Sequence, residues 1–343
     1  MEETGQVFHG LEDNAVRRLH FAVDRSRDWA ATLWKHGFRL VTVLLVSVVI
    51  FTAARQVPSG GSKGTQTPIA VQAYVPDAPK QTDWPHQYQW LSNRSRAKYE
   101  SLSSRIAPPE GFSRVDVATD SFADWLRHLP VASAERAVTN SRKQTVYQPG
   151  DSRIAAVIDL QPGAGNLLLA PAMMVRLRAE YLWASKETER LAFHYTSGHL
   201  SKWSDWAAGA RPTVHGKQVA FKKDRPEDDS RDNFCSYLET IFRYTTVYSL
   251  LQDMEKASSA SIAAGDVFVA TSKGGHAVIV LDVAANKDGR VKVLLGQGGN
   301  PAQTFHVLRG EDGEAWVKVS PASGIMVSGK LTLKMKDLRH WKP

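Results

Sequence analysis

The chain holds a single cysteine, Cys235, among its 343 residues. An intrachain disulfide is therefore excluded, but this alone does not define the redox compartment, because many periplasmic domains lack disulfides. Internal repeats and clusters of basic residues are also missing, and the scattered Lys and Arg side chains argue against a nucleic-acid partner. The net charge of +8 instead favours anionic surroundings, such as a membrane surface or an acidic wall polymer.

Signatures of some common catalytic and binding sites are lacking as well. Ser197 precedes a glycine but does not lie in the Gly-x-Ser-x-Gly pattern of a nucleophile elbow. The Gly298-Gly299 loop has no Lys-Ser/Thr pair to form a phosphate cradle. His194 and His199 match no established metal-ligand spacing and have no evident acidic co-ligand, so we interpret them as part of a polar network. We predict neither a cofactor nor a metal ion.

One stretch is apolar enough to suggest a membrane span. Residues 40–54 carry no charge, and with Gly37 and Phe38 the block approaches the ~17–25 residues that a span needs. The alternatives are a buried core helix and a cleaved signal peptide. The Gly-, Ser- and Pro-rich segment that follows disfavours the first, and the long segment that precedes disfavours the second. We therefore predict a transmembrane anchor at residues 38–55.

Basic residues flank this segment unevenly, which predicts its orientation. Those that precede it are Arg25, Arg27, Lys35 and Arg39, and those that follow closely are Arg55 and Lys63. Under the positive-inside rule, residues 1–37 form a cytoplasmic tail. The chain then crosses the inner (cytoplasmic) membrane once, with its main domain extracytoplasmic. Two interpretations of the tail stand, an amphipathic helix on the inner leaflet and a solvated segment.

Composition divides the rest of the chain into a tether and a folded part. Residues 56–82 are rich in Pro, Gly, Ser and Thr and are predicted to form a flexible linker. Residues 83–104 carry aromatic side chains at roughly helical spacing, which predicts an edge helix. Residues 105–343 are predicted to form the globular extracytoplasmic domain.

Hydrophobic periodicity in the globular part predicts both helices and strands. Ser121 and Ser230 are typical helix N-caps, and Pro171 opens another helix. The segments that read as strands are 154–160, 191–196, 213–221, 265–269, 276–281, 290–297 and 304–308. We therefore predict an α+β fold, with an antiparallel sheet that follows the long Ser230 helix.

The most informative motif is a pair of strands joined by a Gly-rich turn. Gly265-Asp266 opens the first strand, and Gly275-His276 opens the second, which continues as the apolar run 277–281. A titratable ring at the entrance of a buried strand needs a partner or a function. His276 is therefore our leading candidate for a site residue.

Several segments in combination resemble an uncharacterised bacterial domain family of unknown function, known mainly from lipoprotein-like and membrane-tethered proteins. The matching segments are 176–182 (RLRAEYL), 193–198 (FHYTSG), Trp206 with 209–212 (GARP), Tyr237-Leu238 with Phe242, 265–268 (GDVF), 275–280 (GHAVIV), 301–303 (PAQ) and 306–308 (HVL). They span roughly residues 105–341. The resemblance implies a fold and a location but no established activity.

Residues 230–306 also resemble, more weakly, the papain-like hydrolases of the NlpC and CHAP kind. The resemblance implies a papain-like core, in which the long Ser230 helix packs on an antiparallel sheet behind an N-terminal α/β extension. That resemblance implies Cys235 as the nucleophile, His276 as its base, and Gln297 or Asn300 as the residue that orients the imidazole. The chain departs from the pattern because Phe234 stands where those enzymes usually have Asp. In addition, a cap at Ser230 would place the cysteine beyond the first turn, so Cys235 as a packing residue remains an alternative.

Two functions are consistent with these motifs. The first is a non-catalytic or degenerate papain-like module that binds cell-envelope material. The second is a cysteine amidase or peptidase that acts on cell-wall peptides through Cys235 and His276. Candidate ligand contacts are Asn300, His194, Trp206 and Arg211, for which burial and loop stabilisation are alternative explanations. The predicted partners are the membrane and an envelope polymer, and not nucleic acid.

Overall fold

The computed structural model describes residues 84–163, 165–257, 261–272, 274–329 and 331–343. The predicted tail, anchor and linker lie outside the described residues. Among the helices that are described, none is both long enough and apolar enough to cross a membrane.

Three short helices occupy the segment for which one edge helix was predicted. They are α1 (Trp84–Gln87), α2 (Asn93–Ala97) and α3 (Leu102–Arg105). The side chains of Ser92 and Ser101 accept hydrogen bonds from backbone N–H groups of α2 and α3 and so start each helix anew. Tyr88 is fully buried against the globular part, and its hydroxyl donates to the Trp125 carbonyl at 2.7 Å.

Within the described residues, nine strands form one antiparallel sheet, which confirms the predicted α+β class. Numbered in chain order, they are β1 (Ser113–Arg114), β4 (Ile154–Val157), β9 (Met254–Lys256), β10 (Val267–Ala270), β11 (His276–Ala285), β12 (Val291–Gln297), β13 (His306–Leu308), β14 (Val317–Lys318) and β17 (Leu338–Trp341). The order is β4-β13-β12-β11-β10-β17-β9, with β1 also paired to β11 and β14 to β12.

Four small hairpins surround the sheet. They pair β2 (Val138–Thr139) with β3 (Thr145–Tyr147), β5 (Ala192–His194) with β6 (Leu200–Lys202), β7 (Ala210–His215) with β8 (Gln218–Lys223), and β15 (Ile325–Val327) with β16 (Leu331–Leu333). The prediction of a single strand at 213–221 is therefore wrong, because this segment forms the β7–β8 hairpin. Gly216, at a φ of +60°, turns the chain back at that point.

The central strand β11 is apolar on both faces because both faces of the sheet are covered. Alternate side chains point to opposite faces, and Ile279 and Leu281 join the core that includes the helices. Val278 and Val280 join a second cluster, which contains Ile325 and residues of the β15–β16 hairpin. This double burial explains why the strand reads as a continuous hydrophobic run.

The helix that packs on β11 is not the one that was predicted. Five further α-helices are described, namely α4 (Phe122–Arg127), α5 (Ala170–Ala184), α6 (Trp203–Ala207), α7 (Arg231–Tyr244) and α8 (Val247–Asp253). Helices α4 and α5 pack on β11, whereas α7 packs chiefly on α5 and α6. Ser230 caps α7 as predicted, but this helix carries buried side chains on one face only and so lies in an outer layer.

Candidate functional site

Two histidines and a glutamine meet at one end of the sheet. His276 is the first residue of β11, Gln297 the last of β12 and His306 the first of β13. Because these neighbouring strands are antiparallel, their polar ends come together. Gln297 Oε1 lies 2.9 Å from His276 Nε2, and Gln297 Nε2 lies 3.2 Å from His306 Nε2. We call these three side chains the histidine network.

The hydrogen bonds determine which groups of the network donate and which accept. The Nδ1–H group of His306 donates to the Thr304 carbonyl at 2.8 Å, so its Nε2 accepts from the Gln297 amide. The Gln297 carbonyl oxygen then accepts from the Nε2–H group of His276. No described residue forms a hydrogen bond with Nδ1 of His276.

Burial keeps both imidazoles neutral. His306 has no exposed surface, and burial lowers its pKa to about 4, with a contribution from the neighbouring His276. Burial also lowers the pKa of His276, although the hydrogen bond to Gln297 opposes this effect. The network therefore consists of uncharged donors and acceptors at neutral pH.

Cys235 occupies a different environment on α7. The residue is exposed, yet partial burial of the thiol raises its pKa, and the charges of Arg231, Glu180 and Arg176 act on it as well. No hydrogen bond joins Cys235 to His276 among the residues described. The predicted nucleophile and base are therefore not paired, whereas His276 and Gln297 are.

The helix start that lies near the histidine network belongs to α5. The backbone N–H of Ala170 donates to the Gly299 carbonyl at 3.1 Å, two residues after Gln297. A Cβ atom on Gly298 would lie 3.3 Å from Met173 Cβ, which shows how closely the helix and the loop approach. The first turn of α5 begins Ala170-Pro171-Ala172 and carries no nucleophilic side chain.

The remaining predicted ligand contacts lie in three different places. Asn300 is exposed in the loop after β12 and precedes a cis proline, Pro301. Trp206 is buried, and its indole N–H donates to Asn233 Oδ1 at 2.9 Å. The Arg211 guanidinium lies over the Trp206 ring at 3.9 Å and also donates to Asn233. The structure therefore places Trp206 and Arg211 in a packed cluster that leaves the ring little room to stack on a sugar.

His194 lines a cleft of about 270 Å³, which we call the His194 cleft. Its Nδ1 lies 2.6 Å from Asp253 Oδ1, and the same carboxylate accepts the backbone N–H of His194. Burial raises the pKa of Asp253 to about 6, although the bonds from His194 oppose this shift. The polar or charged side chains that line the cleft include Arg178, Arg190, His194, Gln252, Asp253 and Lys342.

A second cleft, of about 650 Å³, lies between the N-terminal helices and the segment after α4; we call it the Arg94 cleft. Its charged lining residues are Arg94, Lys98, Glu100, Arg105, Arg136 and Asp159. Arg105 is paired with Glu100. Arg94, Lys98 and Arg136 have no ion-pair partner in the part of the chain that is described.

Sequence reasoning missed His306, Arg178 and Asp253 as site residues. His306 opens an apolar strand just as His276 does, so the same signal could have found it. Asp253 lies 59 residues from His194, and no local pattern links the two. In the described residues, no group of three or more His, Cys, Asp or Glu side chains is arranged to hold a metal ion.

A family model described as Domain of unknown function (4846) matches residues 102–340 of the chain. No curated protein and no solved structure matches this chain. The resemblance to an uncharacterised family is thereby confirmed, and the resemblance to NlpC and CHAP hydrolases stays a prediction.

Proposed function

The chain belongs to the family described as domain of unknown function (4846), and we propose that it is a non-catalytic, degenerate papain-like module that binds cell-envelope material. The observation that carries this proposal is that Cys235 and His276 are engaged with different neighbours. A thiol with a raised pKa and no general base in hydrogen-bond contact is a poor nucleophile. Binding is therefore favoured over hydrolysis.

The papain-like part of the proposal is supported by the position of α5. This helix packs on β11, and its N-terminus adjoins the loop that follows Gln297. A helix start beside strand ends that carry histidine and glutamine is the arrangement in which such hydrolases place a nucleophile. Ala170 and Ala172 in the first turn supply none, which is why we regard the module as degenerate.

The Arg94 cleft supports the binding part of the proposal. Arg94, Lys98 and Arg136 present positive charge on its walls, and acidic groups of a wall polymer would neutralise that charge. The cleft volume of about 650 Å³ falls in the range of small-ligand sites. The chain's net charge of +8 would also raise the local concentration of an anionic polymer at its surface.

The proposed location is the outer side of the cytoplasmic membrane. The charge-free run 40–54 and the basic residues before it support a single span with its N-terminus inside. A linker rich in Pro, Gly and Ser at 56–82 would let the globular part reach the envelope polymer.

Cosedimentation with purified cell-wall sacculi tests this function. At low salt we expect the detergent-solubilised chain to sediment with the sacculi and to release no soluble peptide. Cys235→Ser should bind equally well, because the thiol has no part in binding. An Arg94→Met variant should bind more weakly, because it loses a positive charge in the cleft.

Two results would contradict the proposal. A chain that stays in the supernatant at low salt would remove the binding function. Peptide release that disappears in Cys235→Ser would instead support the cysteine amidase or peptidase, the alternative function.

A further inference from the structure

Arg178 is a buried cation with an unusual environment. It is only 9% exposed, and its guanidinium lies over the rings of Phe122 and Tyr181 at 5.1 and 5.5 Å from their centroids. No described residue accepts a hydrogen bond or forms an ion pair with it, and it lines the His194 cleft. The guanidinium nitrogens keep access to the cleft and are free to donate to an anion there.

The cleft around Arg178 has an excess of positive charge. Arg190 and Lys342 also line it, and the acidic residue among its walls is Asp253. Arg190 is paired with Glu187, whose charge also acts on Arg178. Arg178 and Lys342 are therefore the cations of the cleft without an ion pair among the described residues. The Asp253 carboxylate is engaged by the ring and backbone N–H groups of His194. Burial, aided by nearby Arg190, lowers the pKa of Arg178 to about 10, which leaves the guanidinium charged at neutral pH.

The remaining walls of the cleft are apolar. Leu182 and Phe193 are buried, Leu200 is 39% exposed, and Trp341 is half-buried. A ligand that fills this cleft would therefore place an anionic group near Arg178 and an apolar group against these side chains. The volume of about 270 Å³ lies just below the ~300–1,000 Å³ of small-ligand sites, so the cleft suits only the end of a peptide.

We propose that the His194 cleft binds the C-terminal carboxylate of a short peptide, with Arg178 as its main charged contact. The assignment rests on the proposed function, since it identifies peptide ends of envelope material as the ligand. The planar guanidinium fork matches a carboxylate. A single negative charge suits a cleft whose wall also contains Asp253 better than a dianionic phosphate would.

Isothermal titration calorimetry of the full detergent-solubilised chain tests the assignment. The probes are N-acetyl-alanyl-alanine with a free carboxylate, the same peptide as its C-terminal amide, butyrate, and inorganic phosphate. We expect the free-acid peptide to bind at least about tenfold more tightly than the amide, because a hydrogen bond to a charged group contributes roughly 1.5–3 kcal/mol. We also expect it to bind more tightly than butyrate or phosphate.

Variants locate the site. Arg178→Met keeps an apolar side chain over Phe122 and Tyr181 and should weaken binding of the free-acid peptide by about tenfold or more. Arg178→Lys restores the charge and should recover part of the affinity. Arg290→Met removes an exposed positive charge from the turn between β11 and β12 and should leave peptide affinity unchanged.

The assignment is overturned by any of four results. The first is equal affinity for the acid and the amide, and the second is tighter binding of phosphate than of the peptide. The third is binding of butyrate as tight as that of the peptide, and the fourth is equal peptide affinity in Arg178→Met and Arg290→Met. The acid–amide comparison uses the unaltered chain, so it does not depend on a variant that folds. If the free-acid peptide binds through Arg178 but sacculi do not sediment the chain, the proposed function fails while the cleft assignment stands.

Discussion

His306 illustrates how one buried ring links the site to stability. Its pKa is lowered to about 4 in the folded chain, against an ordinary value of 6.5. Between these two values the unfolded chain binds a proton that the folded chain does not bind. The contribution of His306 to stability therefore decreases as pH falls through that window, and it is complete above the window.

We predict that His306→Gln reduces the loss of stability in acid. By linkage, the His306 shift alone removes about 2 kcal/mol from the free energy of unfolding between pH 7.5 and pH 5. Carboxyl groups with a raised pKa, such as Asp253, act in the opposite sense over this interval, but they are common to both chains. Urea unfolding at both pH values should therefore show that the unaltered chain loses about 2 kcal/mol more stability, or gains that much less, than the variant. As a control, His215→Gln changes an exposed side chain and should leave the pH dependence as it is. Equal losses in His306→Gln and the unaltered chain would contradict the prediction.

At the level of elements, a buried ion cluster contacts β11 where its register with β12 is irregular. The register with β12 shifts between Val280 and Asp282. Asp282 is 1% exposed, and its two carboxylate oxygens pair with Arg114 of β1 and Arg127 of α4 at 2.7 Å each. The cluster thus joins a strand and a helix to the central strand of the sheet.

Removing the carboxylate should be strongly destabilising. Asp282→Ala leaves Arg114 and Arg127 partly buried without their counter-ion, and such a loss typically costs about 3–5 kcal/mol. The midpoint of urea unfolding measures this cost. Asp288→Ala, in the exposed turn between β11 and β12, is the matched control and should have little effect. A similar midpoint for the two variants would show that the cluster contributes little.

Local sequence signals identified many elements but not how they assemble. Serine caps and Pro171 correctly predicted where helices begin, and the apolar run after His276 correctly predicted β11. The helix on the sheet was misassigned because both long helices offer apolar side chains, and only long-range packing decides between them. Half of the histidine network was among the predicted site residues, since the resemblance to NlpC and CHAP hydrolases implied His276 with Gln297 or Asn300, and His276 contacts Gln297. The Arg178 and Asp253 environments depend on residues remote in sequence.

For the whole molecule, a single exposed cysteine offers a direct test of orientation. Cys235 lies in the globular part, which the predicted topology places outside the cytoplasmic membrane. A membrane-impermeant maleimide should therefore label the full chain in intact spheroplasts. The reaction is best run at about pH 8.5, because the raised pKa of the thiol slows labelling at neutral pH.

The Cys235→Ser chain supplies the background, because the protein has no other cysteine. Spheroplasts lysed before labelling give the maximum signal. We expect intact and lysed samples to reach the same extent of labelling, since a thiol on the outer side is accessible in both. Labelling that appears only after lysis would place the globular part in the cytoplasm. Both the predicted orientation and the proposed access to envelope polymer would then be wrong.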